Sequence, residues 1–297
     1  MSGARPIASS RATLIGFVAV LLWALLAAFT ALSGDVPPLQ LNAMTFAVAA
    51  IVGMVWAASR GGVRTAFRQP VGAWIVGVGG LFGYHALYFT ALRLAPTVQA
   101  SLIAYLWPLL IVLGSALIGE RLRLGHVLGA LIGLAGAALI VLARSDGDLG
   151  FDVAYLPGYL AALACAFTWS GYSLLSRRLG DVPTEAVAGF CLATAVLSLG
   201  LHLMLEETIW PATGTQWLAV LGLGLGPVGG AFFVWDHGVK RGDIRLLGAA
   251  SYSAPVLSTL VLIVLGLAAL TWSVVAACVL VTMGAVVAAR AGRAAPA

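Results

Sequence analysis

Gly80, Tyr84 and Tyr88 recur every four residues in an apolar run, with His85 beside the first tyrosine. On a helix that spacing puts the three on one face. A glycine there leaves room for a ligand, and each aromatic ring offers a flat apolar surface with a polar tip. The chemistry this suits is non-covalent: a cavity wall for an amphipathic small molecule, with His85 as a hydrogen-bonding or proton-sensing group. Ordinary helix packing is the competing reading, because small residues also mediate close contacts between membrane helices. A second set gathers around two prolines. Ser101, Tyr105 and Trp107 accompany Pro108, and Ser251 and Tyr252 accompany Pro255. A proline inside a helix frees the carbonyl four residues earlier, here at Ala104 and Ser251. Each proline marks either a hinge or a static bend.

Other chemistry is poorly supplied. Cys165, Cys191 and Cys278 are scattered through apolar stretches without the spacing of a zinc or redox site, and read as small buried hydrophobes. No H-E-x-x-H and no G-x-x-x-x-G-K-[ST] is present, so metalloprotease chemistry and nucleotide hydrolysis are disfavoured and no cofactor is expected. Asp236 and His237 are the remaining ionisable groups near membrane depth, where such groups face a cavity or a partner. Lys240 follows Asp236 at i+4, so pairing is favoured over a coupling role. Gln99 and Asn42 are further polar cavity candidates that spacing does not rank.

The elements that must carry these residues follow from composition. In 297 residues, 61% are hydrophobic and 9% charged, with mean hydropathy +1.03. A soluble domain carries roughly 25% charged residues, so a soluble enzyme, a nucleic-acid binder and a disordered scaffold are all excluded. A spanning helix needs about 20 apolar residues. Ten such runs fall near 13–32, 38–58, 71–92, 97–118, 124–143, 156–176, 185–205, 216–239, 246–265 and 271–289. The first is too long for the apolar core of a signal peptide and is read as retained. The fold class is therefore an all-α polytopic membrane protein.

Lys/Arg placement then orients it. With the N-terminus inside, Arg5, Arg11, Arg60, Arg64, Arg68, Arg121, Arg123, Arg177, Arg178, Lys240, Arg241, Arg245, Arg290 and Arg293 share one side. Only Arg93 and Arg144 fall on the other, so both termini are expected in the cytoplasm of a bacterial-type inner membrane.

The chain also repeats itself at a shift of 147 residues. Pro108 meets Pro255, Tyr105 meets Tyr252, Tyr88 meets Trp235, and Arg93 meets Lys240. Gly80 and Tyr84 meet Pro227 and Ala231, and Trp23 approaches Trp169. Five spans per half force the second half to enter from the opposite face. Inverted repeats of this kind recur in secondary transporters. The expected organisation is a 1–12 tail, a first repeat over 13–143, an external linker over 144–155, a second repeat over 156–289 and a 290–297 tail. Gly125, Gly129, Gly133 and Ala137 form a small-residue stripe for packing inside the bundle or in a homodimer. Trp210, Trp217 and Trp272 read as interfacial anchors.

The run from Pro108 through Gly119-Glu120-Arg121-Leu122 resembles a motif of the drug/metabolite transporter superfamily in its EamA-type, ten-helix form. Trp169 to Arg178 is similar to the opening helix of a second family repeat, and the aromatic third helix to that of the family's aromatic amino acid exporters. The resemblance implies a secondary carrier that exports small metabolites, amino acids including aromatic ones foremost, by alternating access. Its binding residues would be Tyr84, His85, Tyr88, Ser101, Tyr105, Trp107, Trp169, Trp235, Ser251, Tyr252 and Trp23, with Pro108, Pro255, Gly80 and Pro227 as hinges. Leu267 stands where the second repeat should place its glutamate, which favours a loop-locking role for Glu120 over a transport role. The alternatives are a drug or quaternary-amine efflux carrier and a non-transporting receptor. Expected partners are a small-molecule substrate and membrane lipid, without nucleic acid, in a monomer or weak homodimer.

Overall fold

The structure is a computed structural model in which residues 9–143, 152–266 and 268–293 are described, the side chain of Arg293 excepted. Arg5, Arg144 and Leu267, with most of the N-terminal tail and of the 144–155 linker, lie outside them. Among the described residues there is no strand, and ten helices are long and apolar enough to cross a membrane. They are α1 (Ser10–Leu32), α2 (Pro38–Ser59), α3 (Val71–Leu94), α4 (Thr97–Ile118), α5 (Leu124–Leu142), α6 (Val153–Arg178), α7 (Ala186–Leu205), α8 (Gly214–Arg241), α9 (Ile244–Val264) and α10 (Trp272–Gly292). Each matches one expected span. Several run past the apolar stretch because polar caps begin them early. Thr213 and Gln216 close a capping box at the start of α8, and Asp243 accepts from the Arg245 and Leu246 amides at the start of α9.

Four helices are irregular. The first α-helical segment of α1 ends at Trp23 and the second begins at Leu26. α4 breaks at Tyr105–Leu106 and α9 at Ser251–Tyr252, each just before its proline. In the α4 break the Leu109 amide donates to the Tyr252 hydroxyl at 3.1 Å, which satisfies a group that the broken helix leaves over. α8 passes through a π-helical segment, Gly226–Gly230, where Pro227 lacks an amide hydrogen and glycines flank it. By contrast α3 is one unbroken helix.

Polar contacts define two poles. At one, the Ser9 amide donates to the Arg241 carbonyl, Arg123 to that of Ala291 and Arg245 to that of Arg121. Arg177 bridges to Glu120 and also donates to the Val239 and Gly242 carbonyls at 2.8 Å. At the opposite pole Glu206 accepts from Arg93 at 2.8 Å and from the Leu39 and Gln40 amides of the first turn of α2. His202 and Glu206 meet at 3.0 Å in the same knot. The small-residue stripe of α5 packs within the bundle: Gly125 faces Ala291, and Gly129 lies against Gly284 and Ala288 of α10. Trp210 and Trp217 stack on each other at 6.2 Å, both exposed, and Trp272 is exposed as well.

Candidate functional site

Broken helices α1 and α4, the unbroken α6 and the segment after the π turn of α8 each bring one tryptophan to the centre of the bundle. Trp23 lies 6.0 Å from Trp107, 5.7 Å from Trp169 and 5.1 Å from Trp235. Trp107 lies 6.2 Å from Trp169 and 6.0 Å from Trp235, and Trp169 and Trp235 stack at 6.3 Å. All four rings therefore touch one another. Trp235 has no exposed surface, and its indole N–H donates to Ser173 Oγ at 3.1 Å. The four rings form an aromatic plug in which the fully buried Trp235 has its indole N–H satisfied.

On one side of the plug stands the α3 face. Tyr84 sits 5.3 Å from Trp169, and Tyr88 stacks on Tyr84 at 6.0 Å with the rings nearly parallel. Tyr88 is hydrogen-bonded to Ser101 of α4. Tyr84, His85, Tyr88, Ser101 and Tyr105 are all half-buried, unlike Trp107, Trp169 and Trp235 below them. His85 uses Nδ1 on the Leu81 carbonyl of its own helix at 2.7 Å. Its ring is boxed by Phe46 at 5.2 Å, Tyr84 at 5.2 Å and Phe232 at 6.2 Å. The geometry offers stacked rings and two or three polar tips above an apolar floor, which suits an aromatic or amphipathic ligand held without covalent chemistry.

Not every residue expected here is brought to this place. Tyr252 is fully buried and Ser251 nearly so, and Tyr252 belongs to a second core with Val112, Ala130 and Val281. Ser251 spends its hydroxyl on the Leu247 carbonyl. Pro255 is also buried in α9. Gly80 lies directly against the Tyr172 ring of α6, so its missing side chain permits close packing there. Pro227 is buried at the start of the π segment. Asn42 does not face this site: its amide donates to Ser198 Oγ at 2.7 Å between α2 and α7. Gln99 is buried.

Other contributors escaped sequence reasoning. Phe46 and Phe232 stack at 5.5 Å beneath His85, and Tyr172 lies 5.2 Å from Trp169. Phe232 is the 147-shift counterpart of His85, a signal that could have found it, whereas Phe46 carries none.

Charge is kept out of the plug. Asp236 pairs with Lys240 at 2.7 Å, their side chains 3% and 4% exposed, and also accepts from Thr184 at 2.8 Å. Lys240 further donates to the Val182 carbonyl. At the basic pole a vestibule of about 1320 Å³ is lined by Glu120, Arg121, Arg177, Arg178, Lys240 and Arg245 among others. Glu120 reaches Arg177 at 2.6 Å and Arg245 at 4.0 Å across that vestibule.

The EamA-like transporter family model matches residues 10–142 and again 156–290. The chain is 57% identical over 280 residues, 94% of its length and 97% of the relative's, to the aromatic amino acid exporter YddG of Ancylobacter novellus. The aromatic amino acid exporter YddG of Salmonella typhimurium is 27% identical, over 84% of this chain and 87% of that one. A crystal structure with 56% sequence identity superposes with a TM-score of 0.91, covering 96% of this chain and 99% of the other. Matched twice by one family model, the chain belongs to the EamA-like transporter family and is a multi-pass membrane transporter rather than an enzyme.

Proposed function

We propose that this transporter exports amino acids, aromatic ones included, across the inner membrane by alternating access. The relatives that align with nearly the whole chain carry the name aromatic amino acid exporter, and the α3 face offers what that substrate class needs. The observation that carries the reading is the contrast within one aromatic column: half-buried Tyr84, His85 and Tyr88 above closed Trp107, Trp169 and Trp235. A ligand stacks on Tyr84 and Tyr88, hydrogen-bonds Ser101 and Tyr105, and rests on the tryptophan floor. The basic pole is cytoplasmic, on the excess of Lys/Arg there. Both termini lie on that side, and residues 13–143 and 156–289 are inverted five-helix repeats. The double match of the family model supports that division.

In this conformation the plug and the Glu120–Arg177 bridge shut the basic pole off from the site. Reversal requires that bridge to part and α4 and α9 to bend at Pro108 and Pro255. Quaternary-amine efflux finds little support, since the buried carboxylate of Asp236 already pairs with Lys240 and that of Glu206 with Arg93. Counterflow of labelled amino acids into proteoliposomes holding only this protein tests the reading, beside a quaternary ammonium dye. Saturable uptake of phenylalanine, tyrosine or tryptophan is expected. Movement of the dye alone would replace the amino acid reading.

A further inference from the structure

A second cavity, of about 610 Å³, opens on the flank of the bundle between α1, α2 and α8. Four glycines line it, Gly53 on α2 and Gly224, Gly229 and Gly230 in and beside the π segment of α8, and they draw the walls together: a Cβ on Gly53 would strike the Phe233 ring and one on Gly224 the Val48 side chain. Ile15, Val52 and Phe233 form apolar walls. Val55 and Leu221, neighbours on α2 and α8, are exposed, so these walls continue into the surface that meets the bilayer.

The other end of the groove changes chemistry. Arg60, Glu185, His237 and Arg241 rim it at the basic pole. Arg60 is 63% exposed, sits over the Trp56 ring at 5.5 Å and meets Glu185 only at 3.9 Å. Arg241 contacts His237 at 2.8 Å. From Gly224 to Arg241 an α-helix rises about 25 Å at 1.5 Å per residue. That is close to one leaflet with its headgroup layer, half of the roughly 40–45 Å of a bilayer.

We propose that this groove is a binding site for an anionic phospholipid, its acyl chain against the π segment and its phosphate on Arg60 and Arg241. Two arginines against one glutamate leave a single net positive charge at the rim, which a headgroup such as phosphatidylglycerol complements. A zwitterionic headgroup would bring its own cation towards the arginines. Basic pockets between membrane helices are known to take anionic headgroups for this reason. Phe233 in the groove and Trp235 in the plug stand two residues apart, on nearly opposite faces of α8. A lipid here therefore braces the back of the helix whose front closes the central column. The site stands independently of the transported substrate.

The test uses the full-length chain, delipidated in detergent and titrated with phosphatidylglycerol or phosphatidylcholine carrying brominated acyl chains. Quenching of tryptophan fluorescence is read, and the difference between the wild type and Trp56→Phe isolates the groove. Phosphatidylglycerol should saturate the Trp56 component at about tenfold lower concentration than phosphatidylcholine. The double change Arg60→Gln, Arg241→Gln should abolish that preference, and Val52→Phe should weaken quenching by both lipids. Equal saturation by the two lipids in the wild type, a comparison that needs no folded rim or groove variant, would reduce the groove to ordinary lipid contact and overturn the proposal. So would an inorganic phosphate titration that alone shifts the Trp56 signal, which would mark a free-anion site.

Discussion

Residues that share a place in the 147-residue repeat behave differently in the two halves. On α3, Tyr88 is half-buried, on an unbroken helix, and hydrogen-bonded to Ser101. Its counterpart on α8, Trp235, follows a π segment, is wholly buried and donates to Ser173. Tyr105 is half-buried while Tyr252 is sealed in the α5–α10 core. Arg93 is 50% exposed beside Glu206, whereas Lys240 is 4% exposed beside Asp236. One half presents its polar and aromatic tips and the other packs them away. On the proposed function, this is how two equivalent halves look when a carrier is open to one side only.

The largest effect should separate Trp235 from Tyr88. Trp235→Ala removes a fully buried ring and should destabilise by about 3–5 kcal/mol, seen as loss of monodisperse protein in detergent or a sharp fall in Tm. Tyr88→Ala should leave the fold intact and lower counterflow at least about tenfold, the weight of one lost stacking and hydrogen-bonding partner. Folded, fully active Tyr88→Ala protein would remove α3 from the site.

Next come the paired cations. Lys240→Met strands the buried Asp236 carboxylate and should cost about 3–5 kcal/mol. Arg93→Met leaves Glu206 its contacts with His202 and two amides, so it should cost less than about 1 kcal/mol. Thermal unfolding of the two variants side by side decides it; equal losses would erase the distinction between the poles.

A smaller contrast lies at the helix starts that the repeat also relates. Pro96 stands at the N-cap of α4 and Asp243 at that of α9. Burial alone would raise the Asp243 carboxyl, but the Arg245 guanidinium and the Arg245 and Leu246 amides outweigh it and hold its pKa below the usual value. A depressed carboxylate contributes stability that is present above its unfolded pKa of about 3.9 and is lost as pH falls through the lower folded value. Asp243→Ala should cost about 0.5–2 kcal/mol at pH 7, with the gap to wild type closing only in strong acid. A gap that closes between pH 5 and 7 would refute this account of the cap.

The finest test is the tyrosine pair at the two breaks. Tyr252→Phe leaves the Leu109 amide without its acceptor and should cost about 1 kcal/mol, with flux nearly unchanged. Tyr105→Phe should instead weaken apparent substrate affinity. The opposite pattern would exchange the roles assigned to the two breaks.

The ten spans were legible because hydrocarbon demands long apolar runs and leaves few other ways to satisfy the backbone. The Asp236–Lys240 pair was legible too, since i+4 spacing on a helix brings the two side chains together whatever surrounds them. Trp23, Trp107, Trp169 and Trp235 were each expected as substrate-binding residues, Trp107 from its place beside Pro108 and the others from the repeat, and the fold gathers their four rings at the centre. Ser251 and Tyr252 were expected there by the same symmetry, and the fold puts them elsewhere. A repeat makes two positions equivalent over a whole working cycle, but a single conformation treats them differently. Phe46, Tyr172 and Ser173 remained hidden because apolar periodicity is nearly flat in helices surrounded by lipid and by one another, so no face announces itself.

The sequence by itself determined that this chain holds ten runs long and apolar enough to cross a membrane, Lys and Arg mostly between alternate runs, and a set of aromatic and proline matches at a shift of 147 residues. Those are properties of composition and spacing, which the solvent reads residue by residue. Only the tertiary structure decided which copy of each repeated residue is exposed, which polar groups find partners across helices, and where a groove opens on the flank of the bundle. Such outcomes depend on how side chains distant in sequence fill the same space, and no local pattern encodes that.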